Sequence, residues 1–155
     1  MAIDLINQAI GIDNRQPVFF GNLGNILQGQ KRQEEAIQAY QHAIELNPEN
    51  EEIQNDLGNA LTELGHFQQA VHAYHKVVKI TPNNPNAYYN LGNTFRELSQ
   101  LQQAIEAYGK ALTLNPNDAE IYNNLGAALQ ASGQLHQAAR TYHQAIEKLQ
   151  GECER

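Results

Sequence analysis

Cysteine is almost missing from this chain. Cys153 is the only one in 155 residues, so no internal disulfide can staple the fold. Positive charge is scarce as well: ten Lys and Arg stand against seventeen Asp and Glu, a formal net charge of −7. Phosphate-backbone binding is driven by basic side chains, so that balance argues against a nucleic-acid ligand. It argues equally against anionic membrane surfaces. No stretch approaches the ~18 consecutive apolar residues of a membrane-spanning helix. The N-terminus has neither the basic start nor the continuous apolar run of a signal peptide. No low-complexity stretch reads as a linker. A soluble, cytoplasmic chain is the expectation, although no residue specifies a compartment.

Recognisable catalytic chemistry is lacking too. The Gly-Asn-Leu-Gly of residues 21–24 lies in a helical stretch, without the preceding strand that a phosphate-binding loop requires. His72 and His75 share a helix face, yet no Cys or carboxylate completes a metal set, so they read as solvated surface histidines. Glu34-Glu35 and Glu51-Glu52 fall in first helical turns, where carboxylates favour the helix dipole rather than acid–base work. No enzyme activity, metal or cofactor is expected.

What is present is a period. Leu-Gly recurs at Leu23-Gly24, Leu57-Gly58, Leu91-Gly92 and Leu125-Gly126, every 34 residues. Ala36, Ala70, Ala104 and Ala138 share a second column, Tyr40, Tyr74, Tyr108 and Tyr142 a third, and Pro48, Pro82 and Pro116 a fourth that lapses at Gln150. A fixed period of this size means an array of one small unit. Function is then expected on a surface shared by several units, not in one catalytic cluster.

These columns resemble the tetratricopeptide repeat (TPR) family, a helix–turn–helix unit with Leu-Gly, Ala, an aromatic and Pro at set offsets. The resemblance implies an all-α fold, a right-handed superhelical solenoid of four TPR units plus a preceding half unit. The boundaries read as a half repeat over 1–16, repeats over 17–50, 51–84, 85–118 and 119–150, and a tail over 151–155. The aromatic column of the first helices departs from the family pattern. It reads Phe20, Gln54, Tyr88, Tyr122, with no Trp, and Gln54 is expected to weaken packing in its unit.

The columns have physical reasons. A glycine inside a helix costs about 1 kcal/mol against alanine, so the four Leu-Gly glycines need an offsetting gain. Close approach of paired helices is the natural one, with Gly58 and Ala70 as the small touching surfaces. The tyrosines read as core pieces whose hydroxyls reach a polar partner. Asn50, Asn84 and Asp118 precede helical stretches as N-caps, and Pro17 and Pro85 suit first helical positions. Asn47-Pro48, Thr81-Pro82 and Asn115-Pro116 end second helices. Gly65 and Gly133 turn the chain between paired helices. In the first unit the glycine is displaced to Gly29, and its turn, Gly29 to Gln33, is expected to be the loosest.

The ends carry expectations of their own. Ala2, Ile6, Ala9 and Ile12 fall in the columns of Ala36, Tyr40, Ala43 and Leu46. Ala2–Ile12 therefore reads as the second helix of a preceding unit, and the chain as a piece of a longer repeat protein. At the other end no capping helix follows the fourth unit, although solenoids need terminal elements with a polar outer face. Leu135, Ala139, Tyr142 and Ile146 are expected to be partly bare, open to end-to-end self-association or to cover by residues outside this chain.

The TPR resemblance also implies that first helices line a concave groove holding an extended peptide. Before each Leu-Gly stands Asn22, Asp56, Asn90 or Asn124; after it, Asn25, Asn59, Asn93 or Ala127. Asparagine is a mediocre helix former, so two columns of it need a reason. An amide offers both donor and acceptor, and a row of them can hold a peptide main chain without demanding a sequence. The pattern resembles the asparagine ladder in the TPR portion of O-linked N-acetylglucosamine transferases. The alternative is that some asparagines only tie one helix to its neighbour.

The same groove carries Asn55, Asn86, Tyr89, Arg96 and Asn123. With Glu52, Asp56, Glu63, Glu97 and Glu120 it has five acids to one base, so neutral or basic peptides are favoured. The chaperone-tail clamp of some TPR domains needs lysine and arginine where this chain has Gly21 and Asn55, and is rejected. Asn59→Ala with Asn93→Ala is expected to weaken binding by ~1–3 kcal/mol with little change in stability. The leading reading is a non-catalytic protein-interaction scaffold. The alternatives are a self-assembly module stacking through its C-terminal face, or the substrate-recruiting arm of a larger enzyme such as a glycosyltransferase.

Overall fold

The computed structural model describes residues 2–153, with side chains described to Gln150. Met1, Glu154, Arg155 and the Cys153 side chain lie outside, and with them part of the expected tail. Among the described residues there are nine helices and no strand: α1 (Ala2–Ile12), α2 (Pro17–Gly29), α3 (Gln33–Leu46), α4 (Glu51–Glu63), α5 (Phe67–Ile80), α6 (Pro85–Glu97), α7 (Leu101–Leu114), α8 (Ala119–Ala131) and α9 (Leu135–Cys153). None is long and apolar enough to cross a membrane.

The chain forms two compact units, one ending at Ile80 and one beginning at Thr81. In the first, α2 packs on α3 and α4 on α5; α3 also meets α4, α1 rests on α2, and the first helices α2 and α4 touch. In the second, α6 packs on α7, α8 on α9 and α7 on α8, while α6 touches α8. The helix starts follow local chemistry. Asn50 Oδ1 accepts from the Ile53 amide at 3.1 Å, Asn84 Oδ1 from Asn86 and Ala87 at 3.0 and 3.2 Å, and Asp118 Oδ1 from Glu120 and Ile121 at 3.1 and 3.3 Å. Each satisfies donors that the first turn leaves orphaned. Pro17 and Pro85 open α2 and α6.

The four turns inside the repeats close alike. Lys31, Gly65, Ser99 and Gly133 all take positive φ, at 60°, 75°, 58° and 81°. Each donates its N–H to a carbonyl three residues back, and the next residue reaches five back, as from Arg32 to Leu27 and from Gln100 to Phe95. This is the Schellman closure of a helix end. The first turn, expected to be loosest, therefore has the same two bonds as the others. Its left-handed residue is Lys31, not the displaced Gly29, which ends α2.

The Leu-Gly glycines abut the tyrosine column. A Cβ built on Gly58 would stand 2.5 Å from Tyr74 Cε1, one on Gly92 2.5 Å from Tyr108 Cε1, and one on Gly126 2.7 Å from Tyr142 Cε1. Gly24 meets Tyr40 in the same way. The surface that Gly58 accommodates is thus an aromatic ring of the paired helix, where the sequence suggested Ala70. Ala70 is itself fully buried, as are Tyr40 and Tyr108. Gln54, expected to weaken its unit, is only 5% exposed, and its Nε2 donates to the Pro48 carbonyl at 3.2 Å. Its polar end is matched, so the loss of an aromatic there leaves no orphaned group.

Two faces stay open. α1 has no buried residue, with Leu5 61% and Ile12 87% exposed. α9 runs on to Cys153, past the boundary expected at Gln150, where the proline column has lapsed.

Candidate functional site

The residues after Leu-Gly are fastened from behind. Tyr40, Tyr74 and Tyr108 donate their hydroxyls to Asn25, Asn59 and Asn93 Oδ1 at 2.6, 2.7 and 2.6 Å. Every pair spans 15 residues and joins the second helix of a repeat to its first. A buried phenol needs such a partner. The amide oxygen is therefore engaged within the repeat; Asn93 also hydrogen-bonds the Tyr89 hydroxyl, so Asn25 and Asn59 are the two whose amide nitrogen is left to donate elsewhere. In the fourth repeat Ala127 replaces the asparagine, and the half-buried Tyr142 keeps only a glutamine partner, Gln130 Oε1 at 3.1 Å, the equivalent of the Gln28 Oε1 that lies 2.9 Å from the Tyr40 hydroxyl. The expectation that Asn59→Ala with Asn93→Ala spares stability is thereby corrected, because that change strips the acceptor from two buried hydroxyls. Burial raises all three phenol pKa values, Tyr108 to about 12. The Asp56 and Glu63 carboxylates add to the rise at Tyr40.

In the unit ending at Ile80, Asn22 and Asn25 on α2 are exposed, while Asn55, Asp56 and Asn59 on α4 are half-buried. A depression of about 610 Å³ opens here, lined by Asn25, Gln28, Gly29, Lys31, Gln33, Glu52, Asp56 and Glu63. Gln28 and Gln33 each donate to a Glu63 oxygen at 3.2 Å. The Asp56 carboxyl is pushed above the usual range, first by burial and then by the neighbouring Glu52 charge. With Lys31 as its one base, the hollow presents three carboxylates and an amide-rich wall.

In the unit from Thr81 the candidate residues are joined to one another. Tyr89 donates to Glu120 Oε1 at 2.6 Å and accepts from Asn124 Nδ2 at 3.0 Å. Arg96 Nη1 donates to Asn124 Oδ1 at 3.3 Å. The Tyr89 and Tyr108 rings lie 6.2 Å apart, centroid to centroid. Asn86 and Asn123 are exposed, and Asn90, Asn93, Arg96 and Asn124 are half-buried. The structure thus brings together Tyr89, Asn93, Arg96 and Asn124, with Asn124 joining Arg96 to Tyr89 and Glu120 accepting from Tyr89 at the end of the chain of bonds. That wiring was not read from the sequence. The period held the signal for the tyrosine pairs, since counting back 15 residues along the tyrosine column lands on Asn25, Asn59, Asn93 and the exception Ala127. Elsewhere, Phe20 tilts against His42 with ring centroids 4.3 Å apart, and Lys110 sits 5.6 Å from the Tyr88 ring centroid.

Comparison with known proteins follows this geometry. A family profile described as TPR repeat matches residues 24–65, 58–96 and 92–133, and one described as tetratricopeptide repeat matches 119–150. Among solved structures, a crystal structure of MamA superposes with a TM-score of 0.95 at 23% identity, covering 99% of this chain and 90% of that one. MamA 41-end from Desulfovibrio magneticus RS-1 gives 0.91 at 21% identity, covering 97% of this chain and 85% of that one. YrrB, described as a TPR protein with an unusual peptide-binding site, gives 0.80 at 24% identity, covering 92% of this chain and 74% of that one. At these identities the likeness is one of fold. No curated protein matches the chain.

Proposed function

Since the chain belongs to the tetratricopeptide repeat family, we propose that it is a non-catalytic protein-interaction scaffold whose first-helix face binds an extended peptide. The observation that carries this reading is the pinning of Asn25 and Asn59 by buried tyrosine hydroxyls. A tyrosine holding each amide oxygen sets the orientation of the amide, so its N–H groups are presented before a ligand arrives. Pre-organised donors reduce the entropy lost on binding. Internal bonding and peptide binding are then two ends of the same side chain, not rival explanations. The YrrB description, a peptide-binding site on this fold, supports the same reading.

The proposed contacts are Asn22, Asn25, Asn55, Asp56 and Asn59 in the first unit, and Asn86, Tyr89, Asn90, Asn93, Arg96, Asn123 and Asn124 in the second. Of the first set, Asn25 and Asp56 line the open hollow. The second is largely committed to its own network. Glu52, Asp56 and Glu63 around the hollow favour a neutral or basic segment over an acidic one.

The test uses Asn25→Asp with Asn59→Asp, which keeps both acceptors for the tyrosines and removes both amide donors. With a neutral peptide selected from a displayed library, affinity should fall by ~1–3 kcal/mol, as unmet carbonyls remain in the complex. The melting temperature should move far less than for the Ala pair at the same positions. Unchanged affinity would remove the asparagines from the site. Concentration-dependent sedimentation separates this function from self-assembly through the ends.

A further inference from the structure

The period makes the second unit a reference for the first. Two periods of 34 residues separate Tyr89 from Gly21, Arg96 from Gln28, Glu120 from Glu52 and Asn124 from Asp56. In the second unit α6 supplies donors to α8: Tyr89 gives its hydroxyl to Glu120 Oε1 at 2.6 Å, and Arg96 Nη1 gives to Asn124 Oδ1 at 3.3 Å. In the first unit both donors are missing. Gly21 has no side chain, and Gln28 is committed elsewhere, its Nε2 to Glu63 at 3.2 Å and its Oε1 to the Tyr40 hydroxyl at 2.9 Å. The acceptors remain, one turn apart on α4. Neither Glu52 nor Asp56 has a hydrogen bond or ion pair among the described residues, and Lys31, the one base of the hollow, pairs with neither. The hollow of about 610 Å³ opens on Gln28, Glu52 and Asp56 together. The charges are exchanged as well. The cation Arg96 is matched with a neutral Asn124, whereas the anion Asp56 has a neutral Gln28 in the cation's place. The first unit thus keeps the acceptors, adds a negative charge and leaves out the donors.

We infer that the hollow receives an arginine side chain of the bound segment, whose guanidinium donates to Asp56 and Glu52 as Arg96 and Tyr89 donate to Asn124 and Glu120 in the second unit. The inference rests on the peptide-binding reading above and names one side chain that the segment carries. Arginine fits better than lysine. Its planar fork of N–H donors spans two acceptors at once, whereas an ammonium is a point charge. Charge-assisted bonds of this kind are roughly twice as strong as neutral ones. Asp56 lacks them at present: burial first, and the Glu52 charge second, hold its carboxyl above the usual range, and a guanidinium offsets both. Asn25 lines the same hollow, so a main-chain donor and the two carboxylates are neighbours. The arginine then fixes the register of a segment whose main chain the asparagines hold without regard to sequence.

The probe is an arginine-bearing peptide recovered by selecting a displayed library of random short peptides on the full chain, compared by fluorescence anisotropy with its lysine, citrulline and alanine replacements. Arginine should recur at one position of the selected peptides. Citrulline or alanine there should weaken binding by about tenfold or more, and lysine by an intermediate factor. Asp56→Asn should remove most of that preference, so that the arginine and citrulline peptides bind nearly alike. Gln28→Arg supplies the guanidinium from within the chain, as Arg96 does, and should weaken the arginine peptide as well. Circular dichroism checks the fold of both variants, and either one alone suffices. Peptides that bind without a recurring arginine would overturn the inference and leave the peptide-binding reading standing, whereas failure to recover any peptide would remove both. Lysine equal to arginine, or an arginine preference that survives both folded variants, would also overturn it.

Discussion

Alanine normally improves a helix at the expense of glycine, and at Gly92 it should do the opposite. In helix propensity alone Gly92→Ala gains about 1 kcal/mol. The new Cβ, however, would stand 2.5 Å from Tyr108 Cε1, 2.6 Å from Cδ1 and 2.9 Å from Cζ. Carbon atoms at rest sit ~3.5–4.0 Å apart, so the ring must retreat by about 1 Å. It has nowhere to go, since Tyr108 is fully buried and its hydroxyl is held by Asn93 at 2.6 Å. Overpacking of this kind costs ~1–3 kcal/mol, and a strained hydrogen bond adds ~1 kcal/mol. The net expectation is a loss of about 2 kcal/mol. For a chain of this size that is ~4–8 °C in Tm. Gly109 supplies the control: it lies within α7, and nothing comes within 4 Å of a Cβ built there. Gly109→Ala should raise Tm while Gly92→Ala lowers it. The penalty at Gly92 should also shrink in a Tyr108→Leu background, as coupled neighbours require. Two alanines of equal and stabilising effect would refute the packing account of the Leu-Gly column.

Three further outcomes are expected. Lys31→Gly and Ser99→Gly should each stabilise by up to ~1 kcal/mol in chemical denaturation, because both residues hold a left-handed backbone that costs non-glycine residues ~1–2 kcal/mol; Gly65→Ser should do the reverse. Asp56→Asn should raise Tm at neutral pH. The folded state holds the Asp56 proton more tightly than the unfolded chain does, so the wild-type carboxylate is a burden at neutral pH, and the gap should close as pH falls towards 3.8 and be absent below it. At the alkaline end, Tyr40, Tyr74 and Tyr108 keep protons that the unfolded chain releases near pH 10.0, so stability should fall as pH rises through that value towards 12. Tyrosinate absorbance should show a late-titrating class that becomes ordinary in denaturant.

The period made the fold legible, because each column repeats the same physical demand. Caps at Asn50, Asn84 and Asp118, proline starts, and buried tyrosines could all be read from residue type and spacing. The errors came where residue type was followed instead of register. Gly29 drew attention in the first turn, whereas Gly65 and Gly133 counted back by the period point to Ser99 and Lys31. The backbone there is set by the two closing hydrogen bonds, which no side chain reports. For the asparagine column a bond to the neighbouring helix was one of the two readings, but its tyrosine partner was not named, since that lies 15 residues on in another helix. The Tyr89, Glu120, Asn124 and Arg96 network depends on two repeats meeting, so it has no signature within one period. The length of α9 was hidden for a simpler reason. The sequence showed that the proline stop was missing at Gln150, but not where the helix would end without it.

The central claim is that tyrosine-held asparagines on the first helices offer their amide N–H groups to a peptide. The direct measurement is a side-chain amide NMR titration of the full chain with a neutral peptide selected from a display library. The account predicts saturable shifts in the Asn25 and Asn59 side-chain N–H resonances, lost in the Asn25→Asp, Asn59→Asp variant. Saturable binding that leaves both resonances unmoved would contradict it.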